Sequence, residues 1–298
     1  MPNALDGVFI PCVTPFDPAG QVRFDWFERN LSAWNLTGVR GYMVLGSNGE
    51  FRSLSDPESI AVVAKAAADG RDKTLIVGVG RESLRGTREF VDSLAGIHGI
   101  DFIAVLTPHY FPKAMTDQAL FAFYTEVAEA SPWPVLVYVA PGYASGVTPS
   151  AALIHDLADN PNIAGVKDTS ASMTLKYLDA IGRDQDFAVL AGSIATLATC
   201  LVHGGTGGVV SVANFLPNEC AAAWQAYRDG RTEQALRLIR ALRRVSGETS
   251  GPHGVAGVKA CMNICGFHAG LPRAPLLALD AAARQVIADR LAEFGAAR

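Results

Sequence analysis

Residues 162–170 read NIAGVKDTS. The run Ile163–Val166 is apolar and suits a buried strand, yet it ends in Lys167. Lysine is rarely fully buried, because its ammonium is strongly hydrated. It is tolerated at the edge of a core, and it is useful there when its amine must be partly desolvated and made nucleophilic. Whether Lys167 reacts or merely snorkels to solvent depends on which strand this is and where it ends.

Similar runs recur on both sides. Strands are expected at Val8–Val13, Gly41–Leu45, Thr74–Gly78, Phe102–Leu106, Val135–Val139, Ile163–Lys167, Phe187–Ala191 and Gly208–Val212. Amphipathic stretches alternate with them: Phe24–Asn35, Pro57–Ala68, Ser83–Ile97, Asp117–Glu129, Pro149–Leu157, Thr174–Ile181 and Ile194–Val202. Eight nearly all-apolar strands alternating with helices predict an α/β fold with a parallel sheet, closed as a (β/α)8 TIM barrel. An open doubly wound sheet would carry a dinucleotide fingerprint after its first strand. That place reads VTPFDPAG, which is not one. Further helical patterns follow at Pro217–Tyr227, Thr232–Arg244, Val255–Ile264 and Ala281–Phe294. Only the first is needed to complete the barrel, so the expected division is a barrel over 1–230 and a C-terminal helical extension over 231–298.

Composition narrows the function. The chain has 298 residues, 49% hydrophobic, enough for one large core, and a formal net charge of −4. No basic cluster suggests nucleic acid or an anionic membrane as partner. No apolar run approaches the roughly 20 residues of a membrane helix. The start MPNALDGVFIP does not read as a signal peptide. Cys12, Cys200, Cys220, Cys261 and Cys265 form no CxxC pair, and such an odd, scattered set suits a reducing cytoplasm. The six histidines show no HExxH or HxH pairing, so no metal site is expected. GVGRES at 78–83 lacks the third glycine of a nucleotide loop, and GGTGG at 204–208 reads as a tight helix-to-strand turn.

Barrel enzymes take their catalytic groups from the C-terminal ends of strands and the loops beyond. Here those positions hold LGSNGEF after strand two, with Ser47 and Asn48; TPHYF after strand four, with Tyr110; VLVYVAP on strand five, with Tyr138; Lys167 on strand six; AGS after strand seven, with Gly192; and Val210 with Ser211 on strand eight. The other lysines, Lys65, Lys73, Lys113, Lys176 and Lys259, fall in helical or loop contexts. A phenol one strand from an amine can move protons during imine chemistry. Alone, Tyr138 would read as a core tyrosine and GSNGE as an ordinary loop. That loop has small residues and backbone N–H groups suited to clasping a carboxylate.

In this order the motifs resemble the dihydrodipicolinate synthase/N-acetylneuraminate lyase family over essentially the whole chain. The pattern is G-[ST]-[TSN]-G-E, T-P-x-Y, a strand-five tyrosine before a proline, and G-x-K-[DEF]. The resemblance implies a Schiff-base lyase of pyruvate-type 2-oxo acids that needs no cofactor, and often a homotetramer built as a dimer of dimers. It implies that Lys167 forms the imine and that Tyr138 is the acid/base phenol. Ser47 and Tyr110 would form a proton relay, with Tyr110 reaching across a dimer contact. Ser47 and Asn48 would hold the substrate carboxylate, and Gly192 and Val210 would line the same pocket.

The resemblance also bears on which member this is. Dihydrodipicolinate synthases carry an arginine in the segment after the strand-five tyrosine, where this chain reads YVAPGYASG with Tyr143 near that place. The asparagine that commonly follows the tyrosine is Val139. Both departures weigh against the lysine-pathway synthase, and GSNGEF, VLAGS and GVAGVK…GLPRAPL look more like 4-hydroxy-2-oxoglutarate aldolases and related catabolic enzymes. The alternatives are 4-hydroxy-tetrahydrodipicolinate synthase, a 2-oxo-3-deoxy sugar-acid dehydratase or aldolase, and a non-catalytic 2-oxo-acid-binding barrel.

Overall fold

The computed structural model describes residues 4–182 and 186–296. Among these residues eight strands alternate with helices. The strands are β1 (Gly7–Pro11), β2 (Gly41–Val44), β3 (Thr74–Gly78), β4 (Phe102–Leu106), β5 (Val135–Val139), β6 (Ile163–Asp168), β7 (Ala188–Ala191) and β8 (Gly207–Val209). They form a closed barrel in the order β1-β2-β3-β4-β5-β6-β7-β8. The helices between them are α1 (Phe24–Asn35), α2 (Asp56–Asp69), α3 (Leu84–Ser93), α4 (Asp117–Ala130), α5 (Ala151–Ala158), α6 (Thr174–Ile181) and α7 (Ile194–Val202). After β8 come α8 (Pro217–Arg228), α9 (Thr232–Glu248), α10 (Gly254–Ile264) and α11 (Ala281–Glu293). This is the expected (β/α)8 barrel with C-terminal helices. Strand ends differ from the sequence reading by a residue or so, except at β8. There, Ser211–Asn214 wind into a 3-10 turn, so Val210 and Ser211 lie just past the strand.

The chain packs as two compact units. One contains residues up to Asp6 together with Thr74–Val209, and the other contains Gly7–Lys73 and Val210 onward. In the first, β3 to β8 are buried along nearly their whole length, as parallel strands covered by helices should be. Tyr124 of α4 shows how a helix docks: its ring is buried and its hydroxyl donates to the Val105 carbonyl of β4. In the second, α1 buries Phe27, Leu31 and Trp34, a helical stripe. Trp34 packs near the rings of Tyr42 and Phe267, with centroids 6.1 and 5.9 Å away. A capping box opens α2: the Ser55 hydroxyl accepts from the Glu58 amide while the Glu58 carboxylate accepts from the Ser55 amide.

One irregularity sets the register that matters. Val135 pairs with Ile163, but Leu136 pairs with Gly165, so Ala164 is an extra residue on β6. Beyond this bulge Tyr138 lies level with Lys167. Without it, Tyr138 would face Val166. Gly165 itself approaches β7 so closely that a Cβ there would run into the Ala188 carbonyl.

Candidate active site

Lys167 sits near the C-terminal end of β6 and is 4% exposed. Its Nζ lies 3.7 Å from the centroid of the Tyr138 ring on β5. A cation over a ring face is attracted by the ring quadrupole. Among the described residues, no carboxylate forms an ion pair with this amine and no acceptor takes a hydrogen bond from it. Tyr138 is buried as well.

The end of β6 is held by the residue after the lysine. Asp168 is fully buried, and its carboxylate accepts from the Ser170 amide at 2.8 Å, the Ser170 hydroxyl at 2.9 Å and the Thr174 hydroxyl at 2.7 Å. Burial pushes this carboxyl up from its ordinary range; those hydrogen bonds and the Lys167 charge oppose the push. The Asp168 carbonyl accepts from the Gly192 amide at 2.6 Å. A Cβ on Gly192 would meet Thr169 Cγ2 at 2.5 Å and the Asp168 carbonyl oxygen at 2.7 Å. Gly192 is therefore a point of close backbone approach between the ends of β6 and β7.

Tyr110 is 75% exposed. Its ring contacts Phe111 edge-on at 4.9 Å, and its amide donates to Glu82, which also accepts from the His109 amide. The structure does not bring Tyr110 against Lys167 or Tyr138.

In the other unit, GSNGE forms a tight turn after β2. The Gly49 amide donates to Gly46 and the Glu50 amide to Ser47, each through the backbone. Leu45 and Glu50, on either side, have φ of 56° and 52°. Left-handed backbone at such residues is costly and must be imposed by the surroundings. Ser47 and Asn48 are half-buried. The Asn48 side chain donates to the Ser211 hydroxyl at 2.7 Å, and among the described residues its backbone N–H has no acceptor. Val210 is fully buried, with its amide donating to the Phe9 carbonyl.

Two groups escaped the sequence reading. Asp168 was part of the G-x-K-[DEF] motif but carried no role. Lys259 lies in a helical stretch, a context that assigns it no role. It is 1% exposed, with Nζ 2.6 Å from Glu50 Oε1 and hydrogen bonds to the Thr14 and Leu271 carbonyls. Burial pulls its ammonium down to about 8, against the opposing pull of Glu50. The GSNGE motif was the available signal, since its acid needs a partner when buried.

Among the described residues no group of three or more His, Cys, Asp or Glu side chains could hold a metal ion, and no helix is long and apolar enough to cross a membrane.

An eight-stranded barrel that buries a lysine near the end of its sixth strand is a framework that can carry chemistry at its strand ends. The chain belongs to the dihydrodipicolinate synthetase family, whose sequence pattern matches residues 4–293. It is 30% identical to the L-threo-3-deoxy-hexylosonate aldolase of Hypocrea jecorina, over 98% of this chain and 96% of that protein. It is 31% identical to the 4-hydroxy-tetrahydrodipicolinate synthase of Oenococcus oeni, over 95% and 96%. A third relative, from Emericella nidulans, is named "Probable 4-hydroxy-2-oxoglutarate aldolase, mitochondrial" and is 30% identical over 92% and 90%. Among solved structures, the chain is similar to YagE, a prophage protein of the same family from E. coli K12 in complex with pyruvate. The TM-score is 0.89 at 26% identity, covering 98% of this chain and 99% of that one. The protein is an enzyme, a lyase of the aldolase kind.

Proposed function

We propose that this lyase cleaves a hydroxylated 2-oxo acid such as 4-hydroxy-2-oxoglutarate through an imine on Lys167. The observation that carries the reading is the contrast between two buried lysines. The Lys259 ammonium is saturated with acceptors, whereas that of Lys167 lies over the Tyr138 ring and, among the described residues, donates no hydrogen bond. An amine that is not committed to hydrogen-bond acceptors is free to turn toward a ketone.

The Lys167 amine adds to the C2 carbonyl, and loss of water leaves a protonated imine. Tyr138 gives and takes the protons of that step. A base then removes the proton of the C4 hydroxyl, the C3–C4 bond breaks, and its electron pair moves toward the imine nitrogen. Glyoxylate leaves. The enamine takes a proton at C3, and water hydrolyses the imine to release pyruvate and free Lys167. Ser47 and Tyr110 relay protons, with Tyr110 supplied across a contact between two copies. The amides of Ser47 and Asn48 hold the C1 carboxylate, and Gly192 and Val210 line the pocket.

The loop Pro141–Gly146 carries Tyr143 and no arginine, which weighs against condensation with aspartate semialdehyde; the C5 carboxylate of 4-hydroxy-2-oxoglutarate must be met by groups outside this loop. Two arginines after β3 are engaged elsewhere. Arg81 stacks on Phe90 at 3.9 Å and donates to the Val79 and Gly80 carbonyls, and Arg85 pairs with Glu89. A second carboxylate without a bidentate partner loses roughly 1.5–3 kcal/mol of charged hydrogen bonding. The test compares kcat/KM for hydroxyoxoglutarate cleavage and for pyruvate with aspartate semialdehyde in one preparation. Faster cleavage is expected. Efficient formation of the cyclic dicarboxylate with poor cleavage would restore the synthase reading.

A further inference from the structure

The acid of the GSNGE motif is left over by the mechanism above. Glu50 is buried, and its two carboxylate oxygens go to different partners. Oε1 lies 2.6 Å from Lys259 Nζ, and Oε2 accepts from the Arg273 amide at 2.8 Å. Lys259 is equally committed, with hydrogen bonds to the Thr14 carbonyl at 3.0 Å and the Leu271 carbonyl at 2.8 Å, and with Phe16 at 4.3 Å. Thr14 returns to the same turn, its hydroxyl donating to the Gly49 carbonyl at 2.8 Å. One lysine on α10 thus ties the loop after β1, the turn after β2 and the segment at 271–273.

Stability is a poor reason for this arrangement. Taking two charges out of water costs several kcal/mol per ion, and well-packed apolar replacements of buried pairs are often neutral or stabilising. Shape is a better reason. Glu50 holds a left-handed backbone that a side-chain-bearing residue adopts only when its neighbours impose it. Both of its carboxylate oxygens and the carbonyl of the preceding residue are fixed by the groups just named. Immediately before them are Ser47 and Asn48, the latter with an unengaged amide.

We propose that Glu50 and Lys259 are a positioning pair that holds the Ser47–Asn48 turn in the shape needed to bind the substrate's carboxylate. This rests on the Schiff-base reading given above. In this reading the pair takes no part in imine formation. Its loss should weaken recognition of the carboxylate and leave imine chemistry intact.

The test uses Lys259→Met combined with Glu50→Gln, which removes both charges and keeps an acceptor for the Arg273 amide. Borohydride-dependent mass addition is titrated with pyruvate and with hydroxyacetone, a ketone without a carboxylate. Half-saturation by pyruvate should rise tenfold or more, while that of hydroxyacetone moves less than twofold. A role in folding alone would move neither or both together, and either result overturns the proposal. A wild-type enzyme that adds no mass with pyruvate overturns the Schiff-base reading, and this proposal with it. If the double variant does not fold, Glu50→Gln alone is read by the same ratio.

Discussion

Lys167 meets Tyr138 through the ring and not through the hydroxyl: Nζ stands 3.7 Å from the ring centroid, with no hydrogen bond joining the two side chains. The phenol can therefore serve a proton transfer elsewhere while its ring shapes the surroundings of the amine. Removing the hydroxyl should spare the ring contact. Tyr138→Phe is expected to fold with a melting temperature within a few degrees of wild type and to lose roughly 10²–10⁴ in kcat, the range for a positioned acid/base. Turnover near wild type would make Tyr138 a packing residue.

Lys167→Ala should abolish borohydride-dependent addition of pyruvate, read by intact-protein mass. Lys259 offers no substitute amine, because it is buried and fully hydrogen-bonded. Mass addition that persists in the variant would locate the imine on another lysine.

Gly192→Ala places a methyl group against the Asp168 carbonyl and Thr169. Neither neighbour is the end of a long flexible chain, so the ends of β6 and β7 must part. A cost of about 1–3 kcal/mol is expected, the usual range for overpacking. Urea denaturation should show it as a lower midpoint at unchanged slope, accompanied by reduced turnover.

Acid should weaken the fold through Glu58. The Arg273 guanidinium, 2.6 Å away, holds this carboxyl at about 2, against an ordinary value of 4.5. Because the folded value is the lower one, the contribution is complete above pH 4.5 and fades as pH falls toward 2. The pair is partly exposed, so salt should reduce the effect. Urea midpoints of wild type and Glu58→Gln should differ at pH 6 and converge near pH 2. Parallel profiles over that range would show that the pair contributes nothing.

The barrel was legible because its signal is repeated. Apolar runs such as Val135–Val139 alternate with helical stripes throughout, and local periodicity suffices to place them. The end of β8 was not legible. Val209–Val212 is apolar enough for a longer strand, but the Val210 amide pairs with Phe9 and the chain then turns. The places of Lys167 and Tyr138 could be read because each sits near the end of its own strand. Lys259 could not, because its partner Glu50 is far away in sequence and no local pattern records a contact of that kind. Asp168 was visible but mute: its three hydrogen bonds depend on the turn into α6.

The extra residue at Ala164 acts as a phase offset between neighbouring strands. An alignment that threads β5 and β6 without a gap would set Val166 opposite Tyr138 and leave the amine one step out of line. Anyone transplanting this lysine–tyrosine pair into another barrel must therefore carry the offset along with the two side chains. Copying the residues onto regular strands would set the two side chains on different rungs.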